Sequence, residues 1–280
     1  MKVRLMIRRF HKNSRKKYVM ITAYDAPTAA LLEAEGVDII LVGDSVGMVL
    51  LGYDSTVPVT MDEMIHHAKA ARRGAEKAFL MGDLPLKGVQ KGPRQTLESA
   101  RRFVREAGCQ AVKLEWNARC LESTRLLVKN RIPIMGHVGL TPQSASRDGG
   151  FKVRAQEAEQ AKELLQKALA FEKAGAFAVL LECVPAPVAQ AVTKRLKVPT
   201  FGIGAGPHCS GQVLVFQDVV GSFKKFRPRF VKAYADADSV MRKAVSRFVR
   251  DVRTGRFPQK KHSFGMKKEE RAAFLRKIAS

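Results

Sequence analysis

The sequence predicts an α/β fold, a (β/α)8 barrel in which parallel strands alternate with helices and the sheet closes on itself. Short apolar runs rich in branched residues recur along the chain, a helix-like stretch separates each run from the next, and an acidic residue directly follows four of the runs. Such runs indicate strands buried on both faces, as in a parallel sheet. The 280 residues, 46% of them hydrophobic, suffice for one barrel domain over residues 1–280, since such barrels need about 250 residues.

The strands and helices can be placed in order from these runs. The predicted strands cover residues 18–24, 37–43, 78–82, 110–114, 132–137, 177–181 and 198–203, and the predicted helices cover residues 26–36, 60–73, 96–107 and 156–174. Closure of the barrel requires an eighth strand. We assign it to the short apolar stretch around residues 218–220, where the pattern is weak.

Start and stop signals bound the predicted helices. Pro27 lies near the start of the first helix, where its fixed φ suits the first turn. Thr60 followed by Glu63 has the spacing of a capping box and marks another helix start. Gly108 and Gly175 each follow a predicted helix and precede a strand, as expected of C-terminal caps. These signals are spaced as an α/β barrel requires.

Four acidic residues, Asp44, Asp83, Glu115 and Glu182, stand at the ends of apolar runs. The carboxyl ends of all strands of a barrel open on one face, so these side chains are expected to meet there. Carboxylate oxygens suit Mg²⁺, which commonly takes one or two of them together with water and substrate. Lys113 lies two residues before Glu115 and projects to the same face, where a buried ammonium requires an anion. Each acid could instead cap a helix or pair with an arginine, but their common position favours a shared site.

The main structural alternative is a doubly wound open sheet. That fold usually has a glycine-rich fingerprint in its first strand-to-helix turn, whereas residues 24–27 read Tyr-Asp-Ala-Pro. The glycine-rich turn at residues 202–206 comes late and lacks the dinucleotide-binding spacing. It is either a tight turn after a strand or one of the late barrel loops that bind anions through backbone amides.

The net charge of +24 is concentrated at the two ends of the chain. Residues 1–17 carry +8 and residues 222–280 carry +13, which leaves only +3 for the barrel between them. We interpret both ends as solvated basic extensions, with polyanion binding as the alternative. We expect no aromatic side chains to interleave with the basic ones, as a platform for single-stranded nucleic acid would require, and therefore no nucleic-acid partner.

The composition also indicates the compartment. No apolar stretch approaches the roughly 20 residues needed to span a bilayer, so we expect no membrane insertion. The four cysteines form no CxxC pair and no close cluster. Because a chain of this size needs no disulfide bonds, we expect a reducing, cytoplasmic setting.

Several motifs together resemble one enzyme family, ketopantoate hydroxymethyltransferase. The matching segments are Ile21-Thr22-Ala23-Tyr24-Asp25, Leu41-Val42-Gly43-Asp44-Ser45-Val46-Gly47-Met48, Gly52-Tyr53-Asp54-Ser55-Thr56-Val57-Pro58-Val59-Thr60, Gly136-His137-Val138-Gly139-Leu140-Thr141-Pro142-Gln143-Ser144 and Leu181-Glu182-Cys183-Val184-Pro185. They occur in the family's order, and the similarity runs from about Lys17 to Phe264.

The resemblance implies a barrel of the phosphoenolpyruvate/pyruvate type and a homo-oligomer, usually a decamer. It also implies transfer of a one-carbon unit from 5,10-methylenetetrahydrofolate to 3-methyl-2-oxobutanoate, which gives 2-dehydropantoate for pantothenate biosynthesis. By motif, the site residues would be Asp44 and Asp83 for Mg²⁺, with Glu115 acting through water; Asp44, Ser45, Asp83 and Lys113 for the oxo acid; and Glu182 as the base. His137 is expected at the same mouth, either contacting a ligand or bonded to backbone.

Departures from the family pattern avoid these metal and base positions. Trp116-Asn117 replace two glycines, Leu86-Lys87-Gly88-Val89 replace an aromatic residue and a Ser-Tyr pair, Ser210 replaces an aspartate, and residues 146–154 gain arginines. We expect the indole of Trp116 to narrow or reshape the mouth and the departures to cluster at the entrance. Binding and enolisation of the oxo acid should therefore be intact, and folate use should be the altered step, unless the added basic residues suit the glutamate tail of the folate.

Two other functions stay open from the sequence. A related barrel lyase that splits a C–C bond of a 2-oxo acid would share the metal and the enolate chemistry. A non-catalytic homologue could bind polyanions through the basic ends.

Overall fold

The structure is a computed structural model that describes residue 7 and residues 9–12, 16–145 and 150–279. Most of the basic N-terminal extension, and residues 146–149 of the arginine-enriched segment, lie outside the described residues.

Strands and helices alternate along most of the chain. The strands are β1 (Tyr18–Thr22), β2 (Ile39–Val42), β3 (Phe79–Asp83), β4 (Ala111–Glu115), β5 (Ile134–Gly139), β6 (Ala178–Glu182), β7 (Thr200–Ile203) and β8 (Gly211–Leu214). The helices are α1 (Ala26–Ala34), α2 (Val46–Val49), α3 (Met61–Gly74), α4 (Leu86–Val89), α5 (Pro93–Ala107), α6 (Cys120–Lys129), α7 (Ala158–Ala174), α8 (Ala186–Arg195), α9 (Phe216–Val220), α10 (Ala237–Arg253) and α11 (Lys268–Ile278), with a 3-10 turn at Lys260–His262.

The strands form a closed parallel barrel, which confirms the predicted fold class. Each strand pairs with the next in sequence, and β8 pairs with β1 to complete the ring. The strands are almost wholly buried because both faces are covered, one by the barrel interior and the other by the surrounding helices. All eight carboxyl ends therefore open on one face.

The predicted position of the eighth strand was wrong. Residues 218–220 belong to the short helix α9, and β8 is the preceding segment Gly211–Leu214. Gly211 lies between Tyr18 of β1 and Phe201 of β7, so closely that an added Cβ would be 2.7 Å from the Phe201 ring. A glycine followed by an exposed glutamine gives no apolar run, so the criterion that found the other strands missed this one.

The helix signals were read correctly. Thr60 and Glu63 form a capping box at the start of α3, and Gly108 and Gly175 adopt the left-handed conformation after α5 and α7. The helix predicted from residue 96 begins earlier, at Pro93, because proline fits the first turn. These helix ends were predictable because each capping interaction involves residues only a few positions apart in the sequence.

The C-terminal helices differ from those around the barrel. None of the described residues of α10 or α11 is buried, although α10 carries apolar side chains such as Val245 and Phe248, which are 62% and 55% exposed. Within the described part of the chain, no helix is both long and apolar enough to cross a membrane.

Gly136 allows a helix to approach the sheet closely, and we expect Gly136→Ala to destabilise the fold. A Cβ at this position in β5 would lie 2.4 Å from Cγ of Phe171, a fully buried ring of α7. Because the ring cannot retreat without disturbing the core, urea denaturation should show a loss of about 1–3 kcal/mol in the free energy of unfolding.

Gly265→Ala is the control for this change, since its Cβ would meet nothing within 4 Å. Its free energy of unfolding should stay within about 0.5 kcal/mol of the native value. Equal stability of the two variants would contradict the steric explanation.

Candidate active site

One cavity of about 200 Å³ opens at the carboxyl ends of the strands, and it collects the predicted site residues. Its inner part is lined by Asp44, Ser45, Asp83, Lys113, Glu115, His137 and Glu182. Asp83, Glu115 and Glu182 are the last residues of β3, β4 and β6, and Asp44 lies two residues beyond β2. The predicted convergence of the acids at strand ends is confirmed.

Strand register sets the spacing of these side chains. Asp83 is the register partner of Lys113 across β3 and β4, and Glu115 is the partner of His137 across β4 and β5. Residues paired in this way on neighbouring strands project to the same face. The polar groups on these strands are therefore brought together by backbone hydrogen bonds rather than by mobile loops.

Lys113 is the cation at the centre of the site. Its Nζ lies 2.9 Å from Oδ1 of Asp83 and 3.9 Å from Oε1 of Glu115, and its side chain is 5% exposed. Burial alone would lower the pKa of Lys113, but the surrounding carboxylates of Asp83, Glu115 and Asp44 outweigh burial and raise it. The ammonium therefore stays charged at neutral pH.

One ammonium does not neutralise the carboxylates around it. Burial and the neighbouring Asp83 raise the pKa of Asp44, and burial together with the other acids raises the pKa of Glu115 against the effect of Lys113. Oδ1 of Asp83 and Oε1 of Glu115 are buried, and no donor among the described residues is aligned to hydrogen-bond with them, although Lys113 forms an ion pair at 2.9 Å with the first. When Asp44, Asp83 and Glu115 are all ionised, the inner cavity has an excess of negative charge that burial penalises.

This excess fits a small divalent cation. No group of three or more His, Cys, Asp and Glu side chains within the described residues is placed to hold a metal by itself. Mg²⁺ does not need such a group, because it commonly keeps water and takes one or two carboxylates plus substrate oxygens. Asp44 and Asp83, linked through the Asp44 N–H and Oδ2 of Asp83 at 3.2 Å, have the donor chemistry for this mode of binding.

Gln143 is a site residue that the sequence reasoning did not single out. Its side-chain amide donates to Oδ2 of Asp44 at 2.8 Å and to the Leu84 carbonyl at 2.9 Å, and its backbone N–H donates to Oε2 of Glu115 at 3.1 Å. It thus fixes two of the acids from a third loop. The available signal was its position inside the Gly136–Ser144 motif, six residues after His137.

His137 connects the charged centre to Glu182. Its Nδ1 lies 3.2 Å from Nζ of Lys113, and its Nε2 lies 3.2 Å from Oε2 of Glu182 in a poorly aligned contact. Burial and the charge of Lys113 lower the pKa of His137, so the ring is neutral at neutral pH. With Nδ1 accepting from the ammonium, Nε2 carries the proton and faces Glu182. The alternative in which His137 bonds only to backbone was wrong. The ring contacts the side chains of Lys113 and Glu182 in the mouth.

The expectation that Trp116 narrows the mouth was wrong. The indole packs edge-on against Phe171 of α7 at 5.5 Å between centroids, with Nζ of Lys167 5.5 Å from the ring centroid, and it does not line the cavity. Ser210 lies at the other end of the barrel, where it exchanges hydrogen bonds of 3.3 Å with Thr200 at the start of β7. Ser210 is separated from the entrance by the length of the barrel, whereas Trp116 follows β4 at the same end as the site but packs outside the cavity.

Aromatic side chains form the outer part of the cavity. Phe151, Phe223, Phe226 and Phe230 line it together with Asp218. Three of these rings come from residues 222–232, where they alternate with lysine and arginine. Our expectation that aromatic and basic residues do not interleave in the C-terminal extension was wrong for this segment.

The glycine-rich turn after β7 also contacts this segment. Gly204 and Gly206 have φ of 61° and 75°, and an added Cβ on Gly204 would lie 2.7 Å from the Phe230 ring. These contacts are those of a tight, closely packed turn. Anion binding by its backbone amides, the other alternative, stays a prediction.

A family model and the sequences of similar proteins indicate the same enzyme family for this chain. The family model described as ketopantoate hydroxymethyltransferase matches residues 4–260. A 3-methyl-2-oxobutanoate hydroxymethyltransferase of Thermus thermophilus is 52% identical over 262 residues, which cover 94% of this chain and 100% of that protein. The enzyme of the same name from Heliobacterium modesticaldum is 48% identical over 94% of this chain and 95% of its own length.

Solved structures show the same fold at low identity. A 2,3-dimethylmalate lyase of the PEP mutase/isocitrate lyase superfamily has a TM-score of 0.63 with 16% identity over 89% of this chain and 88% of its own. A phosphonopyruvate hydrolase in complex with oxalate and Mg²⁺ has a TM-score of 0.57 with 14% identity over 94% of this chain and 93% of its own. At this level of identity, the similarities show a shared barrel fold and nothing further.

Removal of one buried charge should stabilise the protein and abolish its response to Mg²⁺. Asp44→Asn keeps an oxygen for the Gln143 amide but removes a carboxylate whose charge is penalised by burial. We expect urea denaturation to show a gain of about 1 kcal/mol in the free energy of unfolding without added metal. In calorimetry, Mg²⁺ should raise the Tm of the native protein and leave that of the variant unchanged.

Asp62→Asn provides the matched control, since Asp62 is an exposed aspartate on α3. Its response to Mg²⁺ should equal that of the native protein. An equal Mg²⁺ response of Asp44→Asn would show that Asp44 is not a metal ligand.

Proposed function

Because the chain belongs to the ketopantoate hydroxymethyltransferase family, we propose that it transfers a hydroxymethyl group to 3-methyl-2-oxobutanoate. The proposed donor is 5,10-methylenetetrahydrofolate, and one water supplies the hydroxyl oxygen, so the products are 2-dehydropantoate and tetrahydrofolate. The observation that supports this reaction best is the pairing of two different groups in one cavity. Buried acids and Lys113 form a site for an oxo acid and a metal, and Glu182 stands beside them next to His137.

Asp44 and Asp83 would hold Mg²⁺, with Glu115 acting through water. When bound, the metal would supply Lewis acidity to the 2-oxo acid and orient it. The buried oxygens of Asp83 and Glu115, which lack aligned donors among the described residues, support this assignment.

Lys113 and Ser45 would bind the oxo acid beside these acids. The Lys113 ammonium is held in place by Asp83 at 2.9 Å, so it is positioned before substrate arrives. Negative charge develops on the 2-oxo oxygen as the C3 proton is lost, and a fixed positive charge in a dry site stabilises this charge. Ser45 lines the same part of the cavity, and its Oγ is 2.9 Å from the Tyr24 hydroxyl, which orients it.

Glu182 would remove the proton from C3. It is more accessible than the other acids of the site, with 16% of its side chain exposed against 2% for Asp83 and 3% for Glu115. The neutral ring of His137 lies between Glu182 and Lys113, so it holds the base while separating it from the ammonium. Glu182 forms no ion pair with Lys113 in this arrangement, so no such pair has to break before Glu182 accepts the proton.

The two alternatives from the sequence receive less support. Resemblance to 2,3-dimethylmalate lyase is limited to the fold, at 16% identity, whereas the hydroxymethyltransferases are about half identical. A purely polyanion-binding homologue would not require Lys113, His137 and Glu182 to be aligned in a cavity.

We also propose a single barrel domain with basic extensions at residues 1–17 and 222–280, a cytoplasmic location, and a homo-oligomer, a decamer by family resemblance. The exposed apolar side chains of α10, among them Val245, Phe248 and Val252, support self-association, because burial of each would gain free energy.

The assignment of the base predicts a partial reaction. With Mg²⁺ and no folate, the protein should exchange the C3 proton of 3-methyl-2-oxobutanoate for deuterium in D₂O, as followed by loss of its NMR signal. Glu182→Gln keeps the size of the side chain but cannot accept the proton, so exchange should slow by about 10²- to 10⁴-fold.

The Asp62→Asn variant, altered on the exposed face of α3, should exchange at the native rate. If Glu182→Gln exchanges the C3 proton at the native rate, Glu182 is not the base. If the native protein shows no exchange, repetition with tetrahydrofolate present would test whether proton removal requires a bound folate.

Self-association through α10 predicts a smaller particle when its apolar face is charged. Phe248→Glu should lower the mass measured by light scattering, because a buried carboxylate in the interface is costly. Ser246→Glu, an exposed residue two positions away, is the control and should keep the native mass. Equal masses for the native protein and Phe248→Glu would contradict this interface.

A further inference from the structure

The outer part of the cavity contains groups that the reaction on the oxo acid does not use. We define the outer wall as Thr56, Phe151, Asp218, Phe223, Phe226, Pro228 and Phe230, all of which line the cavity. The wall is continuous with the inner cavity that holds Glu182. A ligand on it would therefore lie next to the oxo acid.

The aromatic rings of the wall are partly exposed to solvent. Phe151 and Phe226 are 49% and 53% exposed, and Phe223 and Phe230 are only half-buried. Apolar surface left in water is unfavourable, and aromatic faces bind flat rings by stacking. The wall is thus suited to a planar ligand with an aromatic or heterocyclic ring.

Asp218 gives the wall an acceptor. Its carboxylate makes no hydrogen bond or ion pair to any residue that the structure describes, and the Arg227 guanidinium acts on it only at longer range. Partial burial raises the pKa of this carboxyl. A half-buried carboxylate of this kind gains most from a ligand with two adjacent N–H donors, which it accepts in parallel.

Thr56 provides a second polar group on the wall. It is 2% exposed, and its hydroxyl has no hydrogen-bond partner among the described residues. A buried hydroxyl without a partner is unfavourable. A ligand with a ring nitrogen or oxo group within reach would satisfy it.

Cations surround the entrance beyond the wall. Lys225 bridges to Asp54 at 2.6 Å and Lys224 to Asp236 at 2.6 Å, which holds residues 222–232 across the mouth. Arg229 lines the neighbouring depression with Lys17. Arg229 and Lys17 therefore attract an anionic group carried by a ligand whose ring lies on the wall.

We propose that the outer wall is the site of the reduced folate, with Asp218 accepting from the N3–H and 2-amino groups of the pterin and Thr56 pairing with a further polar atom of that ring. This proposal rests on the proposed function, in which a folate is the one-carbon donor. The phenylalanines cover the flat faces of the pterin and the aminobenzoyl ring. The glutamate carboxylates lie toward Arg229. The proposal requires the one-carbon unit to face the inner cavity, which is continuous with the wall.

The test separates folate binding from chemistry on the oxo acid. Binding of tetrahydrofolate is measured by calorimetry with Mg²⁺ and 3-methyl-2-oxobutanoate present, and C3 proton exchange in D₂O is measured without folate. Asp218→Asn keeps the shape but lacks the paired acceptor, so its Kd for tetrahydrofolate should rise roughly 10- to 100-fold. Its rate of C3 exchange should equal the native rate.

Thr56→Val removes the second polar group at almost constant volume and tests the site if Asp218→Asn does not fold. It should raise the Kd for tetrahydrofolate by roughly 3- to 10-fold and leave C3 exchange unchanged. Asp62→Asn, on the outer surface of α3, should match the native protein in both measurements.

Each result is decisive. If the Asp218 and Thr56 variants bind tetrahydrofolate with the same Kd as the native protein, the proposed subsite is wrong. The proposal that a folate is the one-carbon donor would be unaffected. If these variants lose C3 exchange together with tetrahydrofolate binding, the wall serves the oxo acid. That result would also overturn the folate subsite. If the native protein catalyses exchange but does not bind tetrahydrofolate, the folate donor itself fails, and the subsite with it.

Discussion

The site depends on one electrostatic constraint, a buried ammonium surrounded by more carboxylates than it can neutralise. Lys113 lies between Asp83 and Glu115 with Asp44 nearby, and charges buried in this way persist only when other groups hold them in place. The closed barrel does so because it has no free edge through which β3 or β4 could move apart. The same constraint leaves a net negative charge that a divalent cation would offset.

The remainder of the site is arranged around this centre. Gln143 reaches from the loop after β5 to bond Asp44, and so ties two distant loops to the acids. His137 lies between Lys113 and Glu182 and keeps the accessible acid apart from the buried ones. Under the proposed function this arrangement divides the acids by role, one group binding a cation and Glu182 accepting a proton. The aromatic outer wall lines the same cavity beyond both groups.

Much of the fold and of the inner site was predictable from sequence. Apolar runs identified seven strands because a strand buried on both faces must be apolar throughout, and the acids at their ends marked the face of the site. The eighth strand was missed because Gly211 and Gln212 provide no apolar run, and its pairing partners in β1 and β7 are distant in sequence. Trp116 was misplaced for a similar reason, since nothing local shows that Phe171 offers it a surface outside the barrel.

The sequence by itself determined the order of the elements, the helix ends and the chemical types at the strand ends, because these depend on periodicity and on residues a few positions apart. The tertiary structure decided which groups meet. Strand register placed Lys113 beside Asp83, loop packing brought Gln143 to Asp44, and residues 222–232 came to cover a mouth built from strands far earlier in the chain. Contacts of this kind depend on barrel closure, which joins the first strand to the last and is not encoded in any local segment.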